Sequence, residues 1–138
     1  GRINWVIDKD GAEVVKEKSL RLEIGKWGES AALNYLEGEG YTLVQRNFRS
    51  PDGEIDLIMR KNEELVFVEV KTRTSVDFGF PEEAVDDQKL DHLEATAGWF
   101  LVEHAEFEEN WRLDIVAVTG KLGSSSPEIK WFVNVGNA

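Results

Sequence analysis

Two stretches of this chain, Glu54-Ile-Asp-Leu-Ile-Met59 and Leu65-Val-Phe-Val-Glu-Val-Lys71, read as the arms of one β-hairpin. With the turn centred on Asn62 and Glu63, Asp56 falls opposite Glu69 and Glu54 opposite Lys71. Side chains alternate faces along a strand. Ile58, Leu65 and Phe67 therefore share a face with Asp56, Glu69 and Lys71, while Ile55, Leu57, Val66, Val68 and Val70 take the other. A hairpin apolar on both faces needs cover on both, which is the pattern of a central sheet between helices. The reading depends on parity: a loop longer or shorter by two keeps Asp56, Glu69 and Lys71 together, and a one-residue bulge separates them.

Directly opposed carboxylates repel, and a divalent cation removes that repulsion. Glu29 is a third candidate, because it follows Gly28 at the edge of an apolar helical stripe and can point toward the sheet. Mg2+ prefers oxygen ligands and keeps several waters, so two or three carboxylates plus a substrate phosphate suffice. Lys71, two residues past Glu69, is placed to orient or deprotonate an attacking water or to stabilise developing charge. The plainer alternative is a solvated salt-bridge ladder, with Glu29 an exposed helix acid. Glu54 reads either as a further ligand or as a partner of Lys71 or Arg73. Arg46, Arg49 and Arg73 are candidate phosphate contacts or ordinary surface cations.

The rest of the chain supplies cover for the hairpin. Ser19 to about Glu39 carries apolar or small residues at helical spacing, from Leu20 and Ile24 to Tyr35 and Leu36, and Gly40 stops it. Gly25 and Gly28 would let this helix approach a sheet closely. Tyr41–Phe48 reads as a strand, followed by a turn at Ser50-Pro-Asp-Gly53. Asp77–Pro81 reads as a loop, and a second helix is expected from Pro81 to about His104, with Val85, Leu90, Leu93, Ala97 and Phe100 or Leu101 buried. Leu113–Val118 and Ile129–Val135 read as strands, the latter with Ile129, Trp131 and Val133 on one side, around a loop at Gly123–Pro127. The prediction is one α/β domain over residues 19–138, a mixed central sheet flanked by helices in the order αβββαββ, behind an extension of unassigned role over residues 1–18.

Charge bears on the partner. The net charge is −11, which disfavours broad phosphate binding. The acidity is regional, however: Asp77–Asn110 holds eleven of the 27 acids and one of the 16 bases. Nucleic-acid contact is expected to be local to the site, and the acidic second helix to suit a basic protein partner. The chain has no cysteine, which fits a reducing compartment. It shows neither a membrane-spanning run nor a signal-peptide pattern, so a cytoplasmic protein is expected. His92 and His104 read as surface or capping residues. Among the tryptophans, Trp27, Trp99 and Trp131 read as core or edge fillers rather than base-stacking platforms.

Gly25-Lys-Trp-Gly-Glu29, Arg46-Asn-Phe-Arg49, Gly53-Glu-Ile-Asp-Leu-Ile58, Val66-Phe-Val-Glu-Val-Lys-Thr-Arg73, Phe78-Gly79, Lys89 and Arg112-Leu-Asp114 together resemble the YraN-like uncharacterised bacterial family. That family is similar to the PD-(D/E)XK, or restriction-endonuclease-like, superfamily, which includes archaeal Holliday-junction resolvases. The resemblance covers about Leu20 to Val118. It implies an endonuclease-like core with Asp56, Glu69 and Lys71 catalytic, Glu29 as helix-borne acid, Mg2+ or Mn2+ held by Asp56, Glu69, Glu29 and the Val70 carbonyl, and nucleic acid contacted by Arg46, Arg49, Arg73 and Lys89. Ile55 stands where the superfamily name expects proline, and Asp86, Asp87, Asp91 and Glu94 make the second helix acidic where relatives are often basic. The expectation is a metal-dependent nuclease, DNA being the favoured substrate and branched DNA one form of it, acting as a homodimer where both strands are cut. The alternative is a catalytically silent binding module on the same fold.

Overall fold

The computed structural model describes residues 14–74 and 86–136. Helix α1 (Val14–Gly38) precedes three strands joined by tight turns, β1 (Thr42–Ser50), β2 (Gly53–Lys61) and β3 (Glu64–Arg73). Helix α2 (Asp87–Val102), a 3-10 turn (Ala105–Phe107) and strands β4 (Trp111–Thr119) and β5 (Glu128–Phe132) follow, giving the expected order αβββαββ. Residues 14–18, read as part of an extension, continue α1. Residues 1–13, the Asp77–Pro81 loop and the expected start of the second helix at Pro81 lie outside the described residues. Asp86 caps α2 instead, its Oδ1 accepting the Lys89 N–H at 2.9 Å.

The sheet order is β1-β2-β3-β4-β5. All neighbours are antiparallel except β3 and β4, which run parallel with α2 in the crossover between them. The predicted hairpin register holds: Leu57 pairs with Val68, Ile58 with Phe67 and Lys61 with Glu64. Asn62 closes the turn at φ 56°, a left-handed conformation that asparagine tolerates better than most residues.

Each face of the sheet carries its own apolar layer. Ile58, Leu65, Phe67 and Leu113 pack with Leu93, Ala97 and Phe100 of α2. Leu57, Met59, Val66, Val68, Val116 and Val118 pack with Ala32 and Leu36 of α1. Ile55 departs from the expected parity, because it packs with Ile58 on the α2 side rather than with Leu57. The alternation of β2 thus breaks around Asp56. Strand β1 is irregular alongside it, with a bulge between Leu43 and Gln45 and Asn47 at φ 53° between Arg46, opposite Leu57, and Phe48, opposite Ile55.

Helix α1 meets β3 at Gly28, where an added Cβ would fall 1.9 Å from Thr72 Oγ1, so no side chain fits at this closest approach. Gly25, expected to act likewise, has open space around its Cβ direction. Trp99 also departs from expectation: it lies on the solvent side of α2, half exposed, and its Nε1 donates to Asp52 Oδ2 at 2.8 Å. The last strand ends at Phe132, earlier than predicted. Asn134 turns the chain at φ 58° and the Val135 N–H donates to Leu113 O at 2.8 Å, leaving Val133 half exposed rather than beside Ile129 and Trp131. No helix among the described residues is long and apolar enough to cross a membrane.

Candidate active site

The β2–β3 ladder is paired as far as Leu57 and Val68, and Asp56 and Glu69 occupy the next position in that register. There the Val70 N–H donates to Asp56 Oδ2 at 2.8 Å. Burial, followed by a hydrogen bond to Glu69 and the charges of Glu69 and Glu29, pushes the Asp56 carboxyl up to about 9 against the opposing pull of the Val70 N–H. The surroundings thus favour the protonated form of Asp56 in the metal-free chain. Glu69 is buried, 7% exposed, and its Oε2 receives Lys89 Nζ from α2 at 2.9 Å. Burial tends to lower the Lys89 ammonium, but Glu69, with Asp56 and Glu54 behind it, holds it above its ordinary range. The repulsion anticipated between the opposed acids is relieved here by a proton and an ammonium.

Glu29 approaches from α1, mostly buried, with Arg46 Nη2 at 3.4 Å from its Oε1. With its amide nitrogen facing the carboxylates, Asn47 donates to Glu54 Oε1 at 3.0 Å and to Glu29 Oε1 at 3.3 Å, linking the helix acid to β2. Glu54 partners Asn47 and Arg49, whose Nε lies 3.3 Å from Glu54 Oε2, rather than the expected Lys71. The reason is that the β2–β3 ladder ends before the expected Glu54–Lys71 pair. Arg46 and Arg49 thus stand beside the acids, each already engaged with a carboxylate.

On β3, Val70 contributes its N–H. Thr72 turns toward Gly28 of α1, so Lys71 shares the opposite face with Glu69. Lys71 is half-buried and is not drawn into the Glu69 ion pair, which Lys89 makes instead. Arg73 ends the strand. The candidates Asp56, Glu69 and Lys89 are brought together, and Lys71 lies two residues along β3 from Glu69 on the same face. Asn47 is the residue that sequence reasoning missed, and its signal was an asparagine within a strand segment, where that residue is disfavoured.

Arg112 and Asp114 lie toward the hairpin turn, away from Glu69. Asp114 is buried; its Oδ1 accepts Arg112 Nε and the Asn134 N–H, at 2.9 and 2.8 Å, and its Oδ2 accepts Trp131 Nε1 at 2.8 Å. Arg112 also reaches the Tyr41 hydroxyl at 2.9 Å and Glu64. Burial alone would lower this guanidinium, but hydrogen bonds to Asp114 and Tyr41 raise it further. The network joins β4, the residues after β5, β3 and Tyr41, so this pair is structural. His104 stacks on Phe100 with 3.9 Å between ring centroids, while His92 is exposed.

The donor set at Asp56 and Glu69 is all oxygen and suits a hard divalent cation. Among the described residues no group of three or more histidine, aspartate or glutamate side chains is spaced to hold a metal. A pair of carboxylates is nonetheless the number Mg2+ commonly takes from protein when phosphate and water complete its shell.

Fold and site together define a mixed α/β domain with a carboxylate pair, Glu69 buried and Asp56 largely so, at the end of a strand ladder. The sequence profile of the uncharacterised protein family UPF0102 matches residues 28–118, and the chain belongs to that family. It is 52% identical over 95 residues to a UPF0102 protein of Beutenbergia cavernae, covering 69% of this chain and 80% of the relative. It is also 42% identical over 106 residues to one of Syntrophomonas wolfei, covering 77% and 92% respectively. A UPF0102 protein of Dehalococcoides mccartyi is 38% identical over 114 residues, or 83% of this chain and 93% of the relative. The YraN-like resemblance of the sequence is borne out by these relatives.

Proposed function

We propose that this domain is a metal-dependent phosphodiesterase that cleaves nucleic acid. The observation that carries the reading is the Asp56–Glu69 pair, Glu69 buried and Asp56 largely so, with Lys71 on the same sheet face as Glu69, in the Glu-Ile-Asp and Glu-Val-Lys order whose resemblance points to PD-(D/E)XK nucleases. Asp56 and Glu69, with the Val70 carbonyl alongside, would hold Mg2+ or Mn2+, which supplies charge neutralisation and polarisation of a phosphate oxygen, and Glu29 adds negative charge beside the pair. The Val70 N–H fixes the orientation of the Asp56 carboxyl. Lys71 positions the water or stabilises charge on the phosphate. Arg46, Arg49 and Arg73 offer phosphate contacts around the pair, and Lys89, displaced from Glu69, is a further one.

Calorimetric titration of Mg2+ and Mn2+ into the wild type and an Asp56→Ala/Glu69→Ala double variant, with linear and branched DNA and RNA assayed in the same buffers, tests this. Binding and cleavage lost together in the variant support the enzyme. A wild type that binds neither ion, even with nucleic acid present, sinks it.

One observation favours a second reading, a silent module with a basic protein partner. The outer side of α2 exposes Asp87, Asp91 and Glu94 beside the apolar Trp99 and Val102, 50% and 78% exposed. Capture of a basic partner that persists when those three acids are neutralised would remove it.

A further inference from the structure

Strand register carries the site outward across the sheet. Glu69 lies opposite Ile115 and Lys71 opposite Ala117 in the β3–β4 pair, while Ile115 lies opposite Phe132 and Ala117 opposite Lys130 in the β4–β5 pair. Two rows therefore run from the candidate active site to the β5 edge, Glu69–Ile115–Phe132 and Lys71–Ala117–Lys130. Both rows occupy the same face, because the alternating residues Val70, Val116, Ile129 and Trp131 pack into the α1 layer. Helix α2 packs chiefly on β2 and β1 and reaches Phe67 of β3 and Leu113 of β4, and among the described residues it leaves the β5 end of this face open. Phe132 is 48% exposed there and the Lys130 side chain 66% exposed, with a 3.9 Å contact to an equally exposed Glu128.

We infer that this open face is a binding platform for single-stranded nucleic acid, on which Phe132 stacks an unpaired base and Lys130 contacts the adjoining phosphate. The inference rests on the nuclease reading for its polarity, the strand leading from the platform into the Asp56–Glu69 pair. Three features support the occupant. Exposed aromatic side chains combined with cations along a track are how single strands are held without sequence preference. Neighbouring strands are spaced about 4.8 Å apart, so Phe132 and Lys130 stand about 10 Å from Glu69 and Lys71, a gap that a short length of extended nucleotide chain bridges. The small side chain of Ala117 keeps the row low between the two ammonium groups, leaving a path for a backbone between them. A duplex hides its base faces in the stack and cannot use Phe132, so the substrate class is nucleic acid carrying an unpaired stretch next to the scissile bond, such as a flap, gap or junction.

The test uses the full chain without divalent cation, so that cleavage is absent. Fluorescence anisotropy measures affinity for a single-stranded oligodeoxynucleotide and for its duplex, and 2-aminopurine in the strand reports stacking. The wild type should prefer the single strand, and Phe132→Ala should weaken it about tenfold and abolish the stacking signal. Phe132→Tyr should retain both, and Lys130→Ala should lower the salt slope by about one. Equal affinity for duplex and single strand, or a Phe132→Ala variant that binds as the wild type, overturns the platform. Metal titration of the same preparations separates the two ideas. Strand binding lost with Phe132 in a protein that takes up no metal leaves the platform standing on a silent domain. Metal binding and cleavage that are indifferent to Phe132 leave the nuclease and remove the platform.

Discussion

The Val70 N–H donates to Asp56 Oδ2 at 2.8 Å, so a side chain of β2 takes the main-chain donor next along β3 from the last paired residues. The bond holds a largely buried carboxyl against the end of the β2–β3 ladder and joins the break in β2 alternation to the chemistry of the site.

Asp56→Asn should stabilise the metal-free fold. In the folded chain the carboxyl stays protonated up to about 9, against an ordinary value of 3.8, so the folded state binds more protons than the unfolded state between those values. Its contribution to stability is therefore full below about pH 4 and is lost as pH rises toward 9. Asparagine can keep the Val70 bond through its carbonyl and donate to Glu69 through its amide, without a charge to bury. Urea unfolding at pH 5, 7 and 8.5 should show a gain that grows with pH and exceeds about 1 kcal/mol at neutrality; parallel pH profiles would contradict this.

Lys89→Met leaves Glu69 buried without its ammonium. Because Lys89 is 44% exposed, the cost should be modest, about 0.5–1.5 kcal/mol. Under the nuclease reading, Mg2+ or Mn2+ should raise the melting temperature of the variant more than that of the wild type, and Lys89→Arg should behave as the wild type. Equal metal-induced shifts in Lys89→Met and wild type would show that Lys89 does not compete for the site.

Gly28→Ala should cost about 1–3 kcal/mol by overpacking against Thr72. Adding Thr72→Ala should recover only part, since the Thr72 Cβ itself lies 2.7 Å from the new methyl position. Full recovery, measured by thermal unfolding, would mean that the helix shifts freely along β3.

Asn47 separates backbone from side-chain roles. Asn47→Gly should preserve stability, because glycine adopts φ 53° without strain, whereas Asn47→Ala should lose about 1 kcal/mol. Both remove the amide bridge between Glu29 and Glu54, so metal-dependent cleavage should fall in both. Cleavage retained in the glycine variant would assign Asn47 to the strand alone.

Much of this arrangement was legible because the relevant signals are local. The hairpin register follows from the spacing of Leu57, Ile58, Phe67 and Val68 about a short turn, and α1 from its apolar spacing and its stop at Gly40. The break at Asp56 was not legible, since alternation assumes continuous pairing, whereas the Asp56–Val70 bond and the left-handed Asn47 arise only once three strands are side by side. The pairing of Glu69 with Lys89, 20 positions onward on α2, depends on how the crossover helix returns over the sheet. Trp99 was misplaced for a related reason: helical spacing marks an apolar residue without saying whether the sheet reaches beneath it.

Strand β1, with a bulge after Leu43 and a left-handed residue at Asn47, cannot present a straight row of free amides and carbonyls. Strand β5 is five residues long, carries Glu128 and Lys130, and is turned away at Asn134. Neither border of the sheet is a good template for a foreign strand. A domain whose β3 carries Val66, Phe67, Val68, Val70 and Thr72 is thereby guarded against runaway cross-β growth, because that strand is enclosed by neighbours and both flanks resist extension.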